Sequence, residues 1–159
     1  MNQHQLEQLL KDHHQDAFKW ARQCCMYNSD DAREVIQIVY LKIFEGKAKF
    51  GGRSSFKTWL FSVIRFTAID FVKQKPSYDT LDHLQLVEQE PEDTNDINYK
   101  KLLSKLSDRQ QQVLLLSFYH GMTLAEVADI TDLHIGTVRT HYERGKEALR
   151  TLIQRQVYE

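Results

Sequence analysis

The sequence predicts an all-α protein, in which an N-terminal helical bundle is joined by an acidic linker to a C-terminal helix-turn-helix domain. The 159 residues include only two prolines and six glycines, the residues that most disfavour helix. Apolar residues recur at helical spacing on both sides of residues 76–97, whereas this segment has little periodicity and contains both Pro76 and Pro91. We therefore expect a bundle at 1–75, a linker at 76–97 and a second domain at 98–159.

Three helices are expected in the bundle. Residues 3–27 carry apolar side chains at helical spacing, and residues 28–31 form a break that can cap the next helix. The second helix is predicted from Ala32 to Phe44, with Gly46 ending it. Residues 46–55 form a basic, glycine-containing loop, after which Ser54 or Ser55 caps an aromatic-rich helix that ends near Gln74. The second helix has one broad apolar face, formed by Val35, Ile36, Val39, Tyr40, Ile43 and Phe44.

The clearest local pattern lies between residues 123 and 150. Thr123 and Glu126 have the spacing of a capping box, which starts a short helix, and Leu133 can fill the turn that follows. In the next helix one stripe is apolar or small, with Val138, Tyr142, Gly145 and Leu149. The opposite side presents Gly136, Thr137, Thr140, Glu143 and Arg144, flanked by Arg139 and His141. This polar and basic face suits a DNA major groove, although a helical hairpin with a merely solvated face has the same pattern.

Charge is segregated along the chain. Residues 1–75 hold 12 Lys+Arg against 8 Asp+Glu (net +4), residues 76–97 hold none against 7 (net −7), and residues 98–159 hold 9 against 7 (net +2). The acidic segment is typical of a linker that is extended by its own charge repulsion. A more specific interpretation is that this segment occupies a basic channel of a partner. Composition alone favours the simpler interpretation, a solubilising linker.

A basic stretch surrounds the aromatic helix of the bundle. Seven Lys+Arg and two acids lie between Glu45 and Lys75, a net charge of +5. Cations beside aromatic rings suit single-stranded nucleic acid, because cations follow the phosphates and aromatic pockets accept unstacked bases. Aromatic residues at helical spacing are also common in an ordinary core, and the segment taken alone favours that simpler interpretation.

No enzyme, metal site or cofactor is predicted. The histidines form no His-x-x-x-His set, and His13-His14 is expected on a solvated face. Adjacent Cys24 and Cys25 lack metal or redox spacing and are expected to be reduced thiols packed in a helix. The first residues lack the pattern of a signal peptide, and no segment is apolar enough to span a membrane. We therefore expect a cytoplasmic protein with no membrane insertion.

Several motifs, in order, resemble the bacterial sigma factors. Their second conserved region is similar to the run Asp31–Phe44, to Phe50-x-x-x-Ser-Ser-Phe-Lys-Thr-Trp-Leu60 and to Ala68-Ile-Asp70. Their fourth region is similar to Leu106-Ser-Asp-Arg-Gln-Gln-Gln-Val-Leu-Leu-Leu116, Gly121-Met-Thr-Leu-Ala-Glu-Val-Ala128 and Gly136-Thr-Val-Arg139. The short linker without an intervening domain resembles the extracytoplasmic-function (ECF) group of the sigma-70 family. Each piece is weak alone, but their order and separation make the resemblance specific.

The resemblance implies two DNA-binding surfaces. In the fourth region, base edges of the minus-35 element would be read by Arg139, Thr140 and Glu143, with His141 beside them, and phosphates would be met by Thr137, Arg144 and Lys146. In the second region, the loop Lys47–Ser54 would take the flipped base of the minus-ten element. The minus-ten residues would be Lys47, Lys49, Phe50, Arg53, Ser54, Trp59, Arg65 and Phe66. The family often has Asn where Phe66 stands and usually has Ala where Gly145 stands.

The resemblance also implies protein partners. The helix 31–44 would dock on the clamp helices of core RNA polymerase through Asp31, Glu34, Gln37, Ile38 and Leu41, and the family usually has an acidic residue where Ile38 stands. The polymerase flap would hold the other lobe, and the acidic linker would follow the RNA exit path. An anti-sigma factor would cover the 32–44 face and the fourth-region lobe. The competing interpretation is an autonomous helix-turn-helix regulator whose bundle serves dimerisation or sensing.

Overall fold

A computed structural model of the chain describes residues 1–75 and 99–158. Every regular element in these residues is helical, in agreement with the all-α prediction. The described residues belong to two compact units, one on each side of the predicted linker. The linker 76–97 lies outside the described residues, and its predicted bounds remain a prediction. None of the helices in the described part is long and apolar enough to cross a bilayer.

The N-terminal unit consists of three helices, α1 (Gln3–Cys24), α2 (Ser29–Phe44) and α3 (Phe56–Gln74). Helix α1 ends three residues earlier than predicted, because Met26 and Tyr27 adopt positive φ angles of 54° and 64° and turn the chain. Helix α2 begins earlier than predicted, since the side chain of Asn28 accepts a hydrogen bond from the Asp31 amide and so caps the helix at Ser29. Ser55 caps α3 by accepting from the Thr58 amide at 3.1 Å.

The core of this unit lies where the three helices meet. Trp20 of α1 is fully buried, and its ring stacks on Phe61 of α3 with centroids 5.8 Å apart. The indole N–H donates to the Phe61 carbonyl at 3.0 Å, so its polar atom is satisfied inside the core. Val35 and Val39 of α2 are likewise fully buried. Phe44, which the sequence pattern places on the same broad apolar face, is 46% exposed at the end of α2.

The C-terminal unit contains α4 (Tyr99–Leu103), α5 (Asp108–Leu114), a π-helical turn (Leu115–Tyr119), α6 (Leu124–Thr131) and α7 (Ile135–Tyr158). The predicted capping box is present, since the Thr123 hydroxyl accepts from the Glu126 amide and the Glu126 carboxylate accepts from the Thr123 amide. Asp132, with φ of 54°, ends α6 and turns the chain towards α7. Val113, Val127 and Val138 are fully buried at the centre of this unit.

Candidate nucleic-acid and polymerase interfaces

Helix α7 has the two faces that the sequence predicts. Val138 and Gly145 are buried, and Tyr142 and Leu149 are half-buried on the same stripe. Gly145 packs so closely on α5 that a Cβ atom there would lie 3.1 Å from Cδ1 of Leu114. The residues exposed on the outer face are Gly136, Thr137, Arg139, Thr140, Glu143 and Arg144, while His141 and Lys146 are half-buried.

The first turn of α7 is held by local hydrogen bonds. Nδ1 of His134 accepts from the Gly136 amide at 3.2 Å, which satisfies one of the free N–H groups at the start of the helix. The Thr140 hydroxyl donates to the Gly136 carbonyl at 3.1 Å. The oxygen of Thr140 therefore remains an acceptor, so that this residue suits a donor on a base edge or a water better than a phosphate oxygen.

The loop after α2 presents the predicted cations. Lys47, Lys49 and Arg53 are all exposed, and Gly46 and Gly52 each adopt a φ of 75° at turns that let the loop double back. The amides of Lys47 and Ala48 both donate to the carbonyl of Lys42, at 2.8 and 3.1 Å. These bonds tie the start of the loop to the last turn of α2. The positive charge of Lys47 is partly compensated by Glu45, because Nζ of Lys47 lies 3.1 Å from a carboxylate oxygen of Glu45.

An aromatic cluster supports the other end of this loop. The rings of Phe50, Phe56 and Trp59 lie 5.4–5.6 Å apart in all three pairs. Phe56 is buried, whereas Phe50 and Trp59 are half-buried and line a shallow cavity of about 220 Å³. Its other lining residues are Met1, Leu6, Ile43, Gly46, Ala48 and Lys49. Phe56 and Phe61 are buried core residues, as the simpler interpretation of these aromatics expects, while Phe50 and Trp59 also face the cavity. A role of these two rings in binding bases stays a prediction.

Arg65 and Phe66 of α3 lie in different surroundings. Phe66 is 65% exposed, which is unusual for a large apolar side chain. Arg65 is half-buried close to Cys24. Burial raises the pKa of the Cys24 thiol well above its ordinary value, the neighbouring Cys25 raises it further, and the Arg65 guanidinium partly offsets the rise.

Ser54, the remaining minus-ten candidate, is half-buried, and its hydroxyl donates to the Ser55 carbonyl at 3.2 Å.

The outer face of α2 carries most of the predicted polymerase contacts. Glu34 and Gln37 are exposed, and Ile38 and Leu41 are 36% and 58% exposed. Phe44 follows Leu41 by three residues and continues the same exposed stripe, a spacing from which the sequence could have assigned it to the surface. We refer to Ile38, Leu41 and Phe44 as the α2 apolar stripe.

Asp31 does not belong with these exposed residues. Its carboxylate receives the ammonium group of Lys75 at 2.6 and 2.7 Å, and its side chain is only 14% exposed. The pair links the first turn of α2 to the residue that follows α3. The assignment of Asp31 to a polymerase contact stays a prediction, and in the free chain its charge is paired within the unit and little of its surface is accessible.

The adjacent histidines His13 and His14 both contact other helices. A ring nitrogen of His14 lies 2.6 Å from the Tyr40 hydroxyl, and the His13 ring stacks on Phe56 at 5.8 Å. Both therefore join α1 to its neighbours; His14 is exposed, as predicted, whereas His13 is half-buried. Within the described residues no group of three or more His, Cys, Asp or Glu side chains is placed to hold a metal ion. Cys24 is half-buried at the end of α1 and Cys25 is buried just after it, both as free thiols.

Two protein-family models match the chain, one in each of its two units. Residues 9–76 match the model of sigma-70 region 2. Residues 97–149 match the model of sigma-70 region 4. Both assignments agree with the resemblance that the sequence motifs indicate.

Curated relatives match most of the chain. The ECF RNA polymerase sigma factor SigW of Bacillus subtilis is 30% identical over 144 residues, which span 77% of this chain and 75% of SigW. RNA polymerase sigma factor SigV of the same organism is 26% identical over 144 residues, spanning 89% of this chain and 86% of SigV. RNA polymerase sigma factors are thus similar to this chain across both of its units.

Solved structures share its fold. The sigma factor RpoE of Bartonella quintana, in complex with the anti-sigma factor NepR, has a TM-score of 0.73 at 21% identity, covering 94% of this chain and 97% of RpoE. CnrH, in complex with the cytosolic domain of CnrY, has a TM-score of 0.68 at 20% identity, covering 96% of this chain and 90% of CnrH. With the match to SigW, these findings establish that the chain belongs to the ECF group of the sigma-70 family of RNA polymerase sigma factors.

Proposed function

We propose that this sigma factor acts by binding alone: it holds core RNA polymerase through α2, reads duplex promoter DNA with α7 and captures an unpaired base beside the Lys47–Ser54 loop. The observation that carries the proposal is the separation of two unlike surfaces on two units. One is a polar, exposed helix face and the other a basic loop against an aromatic cavity. Because both elements would be anchored on one polymerase, each contact can be individually weak. Its place of action would be the cytoplasm.

The α7 face supports duplex recognition at the upstream, minus-35 element. Arg139 is exposed and can donate two hydrogen bonds to a guanine edge, and the Glu143 carboxylate can accept from a cytosine amino group. Thr140 and the half-buried His141 lie between them in sequence. Thr137, Arg144 and Lys146 would meet phosphates, which fixes the register of the helix without reading bases.

The loop and its cavity support strand capture at the minus-ten element. Extracting a base from the duplex costs a few kcal/mol, which a receiving pocket must offset. The half-buried faces of Phe50 and Trp59 offer stacking surface, and the exposed Lys47, Lys49 and Arg53 can follow the backbone. Phe66 adds an exposed ring and Arg65 a half-buried cation on α3. A surface of this kind favours melted DNA over duplex, so binding itself would assist promoter opening.

The α2 apolar stripe supports docking on the polymerase clamp helices. Ile38, Leu41 and Phe44 are exposed on the outer face of the helix, with the polar Glu34 and Gln37 on the same side. Burying such side chains is favourable, at about 25 cal/mol per Å² of apolar surface. The apolar Ile38 makes this contact less polar than an acidic residue at that position would. The C-terminal lobe would be held by the polymerase flap.

An anti-sigma partner would compete for the same stripe. RpoE and CnrH were each solved with a protein partner bound, NepR and CnrY respectively. Within the 32–44 face, Val39 and Ile43 are at most 5% exposed and belong to the core, so they offer little surface to a partner. The α2 apolar stripe supplies that surface instead. Pull-down from uninduced and induced cells should recover a stoichiometric small partner in the uninduced state; polymerase alone in both states would overturn this part.

Run-off transcription tests the proposal as a whole. The full chain is mixed with core polymerase and genomic fragments, and transcripts are mapped. We expect specific initiation only when both proteins are present, and little promoter affinity of the chain alone. Tight binding to a duplex operator without polymerase, and no transcript with it, would instead support an autonomous regulator.

A further inference from the structure

Tyr142 lies at the centre of a small surface cluster on α7. Its ring stacks on Phe118 of the π-helical turn, with centroids 5.6 Å apart and planes at 18°. The ammonium group of Lys146 lies 4.4 Å from the centroid of the same ring. Phe118 is 59% exposed, so the ring pair lies at the surface and not within the core. We call Phe118 and Tyr142 the aromatic shelf.

The shelf restrains a side chain that is ordinarily mobile. Lysine has a flexible four-carbon stem and loses much rotamer freedom when it is fixed. Here the side chain of Lys146 is only 33% exposed, although it lies on a helix whose neighbouring charged residues Glu143 and Arg144 are exposed. A second restraint comes from Glu143, whose carboxylate oxygen is 3.6 Å from Nζ. That pair is weak by itself, because Glu143 is 71% exposed and solvent screens it.

We propose that Tyr142, supported by Phe118, is a positioning residue that holds the Lys146 ammonium ready for a DNA phosphate. The inference rests on the proposed DNA-binding role of α7. A cation over an aromatic face keeps its full charge and its free N–H groups, so the shelf orients Lys146 without neutralising it. Fixing the side chain before DNA arrives lowers the entropy that binding would otherwise cost. The shelf thus raises affinity without touching DNA itself.

The positioning role predicts a pattern that simple packing does not. Tyr142→Leu keeps an apolar side chain but removes the ring face, and Tyr142→Phe keeps the face. If Tyr142 acts through Lys146, its removal matters only while Lys146 is present. If it merely packs α7 on the π-helical turn, its effect is independent of Lys146 and follows the loss of stability.

A double-mutant cycle in the holoenzyme tests this. The full chain and its variants are assembled with core polymerase, and affinity is measured against salt for one duplex fragment that the wild-type holoenzyme selects from a random-sequence library. We expect Tyr142→Leu to weaken binding about three- to tenfold, with the salt slope unchanged and Tyr142→Phe restoring most of the affinity. Lys146→Ala should lower the slope by about 0.9. Adding Tyr142→Leu to Lys146→Ala should cause no further loss.

Two controls make the outcomes decisive. Tyr119→Leu removes a neighbouring ring that meets the His120 ring edge-on, with centroids 4.8 Å apart, and it should leave the affinity within about twofold of wild type. Phe118→Leu removes the supporting ring from outside α7 and should weaken binding in the same direction as Tyr142→Leu. Additive losses in the Tyr142–Lys146 cycle would overturn the shelf while leaving the DNA role of Lys146 standing. An unchanged salt slope in Lys146→Ala would overturn both the shelf and that role in the proposed function.

Discussion

Gly145 of α7 lies where a methyl group would be crowded against α5. A Cβ atom there would lie 3.1 Å from Cδ1 and 3.3 Å from Cγ of Leu114, and 3.5 Å from Cβ of Gln110. Leu114 is only 2% exposed, so it cannot swing into solvent to make room. The glycine is therefore explained by close packing of two helices, although its intrinsic effect is to weaken the helix.

Two opposing terms decide the effect of Gly145→Ala. Alanine gains about 1 kcal/mol of helix propensity over glycine. Overpacking a close contact costs about 1–3 kcal/mol. Because both atoms of the buried Leu114 are within the range where a neighbour must move, we expect the second term to win, with a net loss of about 1 kcal/mol. In a Leu114→Ala background the obstacle is absent, and the same substitution should instead stabilise the unit by about 1 kcal/mol.

The assay can isolate the C-terminal unit. Both tryptophans, Trp20 and Trp59, lie in the N-terminal unit, so tryptophan fluorescence during urea unfolding should be the same for every Gly145 variant. Amide exchange along α7 reports the C-terminal unit, since protection there follows its local free energy of opening. An equal gain in stability in both backgrounds would refute the close-packing explanation, and a shift in the fluorescence midpoint would show that the variant acts beyond its own unit.

Three further outcomes follow from the sites and the buried thiols. Arg139→Ala should weaken upstream binding by about 1–3 kcal/mol and relax the preference at one base pair; an equal loss on every single-base variant in a competition assay would contradict base reading. Replacing Lys47, Lys49 and Arg53 with Ala should spare polymerase binding and slow open-complex formation, with rescue on a premelted template, whereas no rescue would argue against strand capture. Burial raises the pKa of Cys25 to about 12 from 9.0, so the folded chain keeps a proton that the unfolded chain loses, and stability should fall as pH rises above about 9. Urea titrations followed by tryptophan fluorescence should show a smaller fall for Cys25→Ala, and an identical fall would contradict this account.

Local signals in the sequence predicted the long helices well. Thr123 was identified as a cap and Ser55 as one of two candidates, because a cap depends on residues only two or three positions apart. The stripe of Val138 and Gly145 followed from periodicity over a helix of 24 residues. No boundaries were predicted between residues 98 and 122, where the structure has helices of five and seven residues and a π-helical turn. Elements of one or two turns contain too few apolar repeats to define a face.

The surface sites were harder to predict, because tertiary partners decide them. Asp31 has the position of an exposed contact in the family pattern, but Lys75, 44 residues later, takes its carboxylate. Periodicity placed Phe44 on the apolar face of α2, yet it is 46% exposed within the part of the chain that the structure describes. The shelf under Lys146 depends on Phe118, which arrives from the π-helical turn. The Asp31–Lys75 pair and the shelf each join residues whose separation in sequence carries no local signal.

The exposure of the α2 apolar stripe has a functional consequence under the proposed mechanism. Exposing Ile38, Leu41 and Phe44 to water does not stabilise the folded chain. Under the proposed mechanism, their position on an otherwise polar outer face is explained by a partner that covers them. Polymerase and an anti-sigma factor cannot cover one stripe at the same time. Binding of either protein to the stripe therefore lowers the fraction of the chain that is available to the other, by mass action. Regulation then needs no conformational change in this chain, and its DNA-binding surfaces can stay formed while the protein is held inactive.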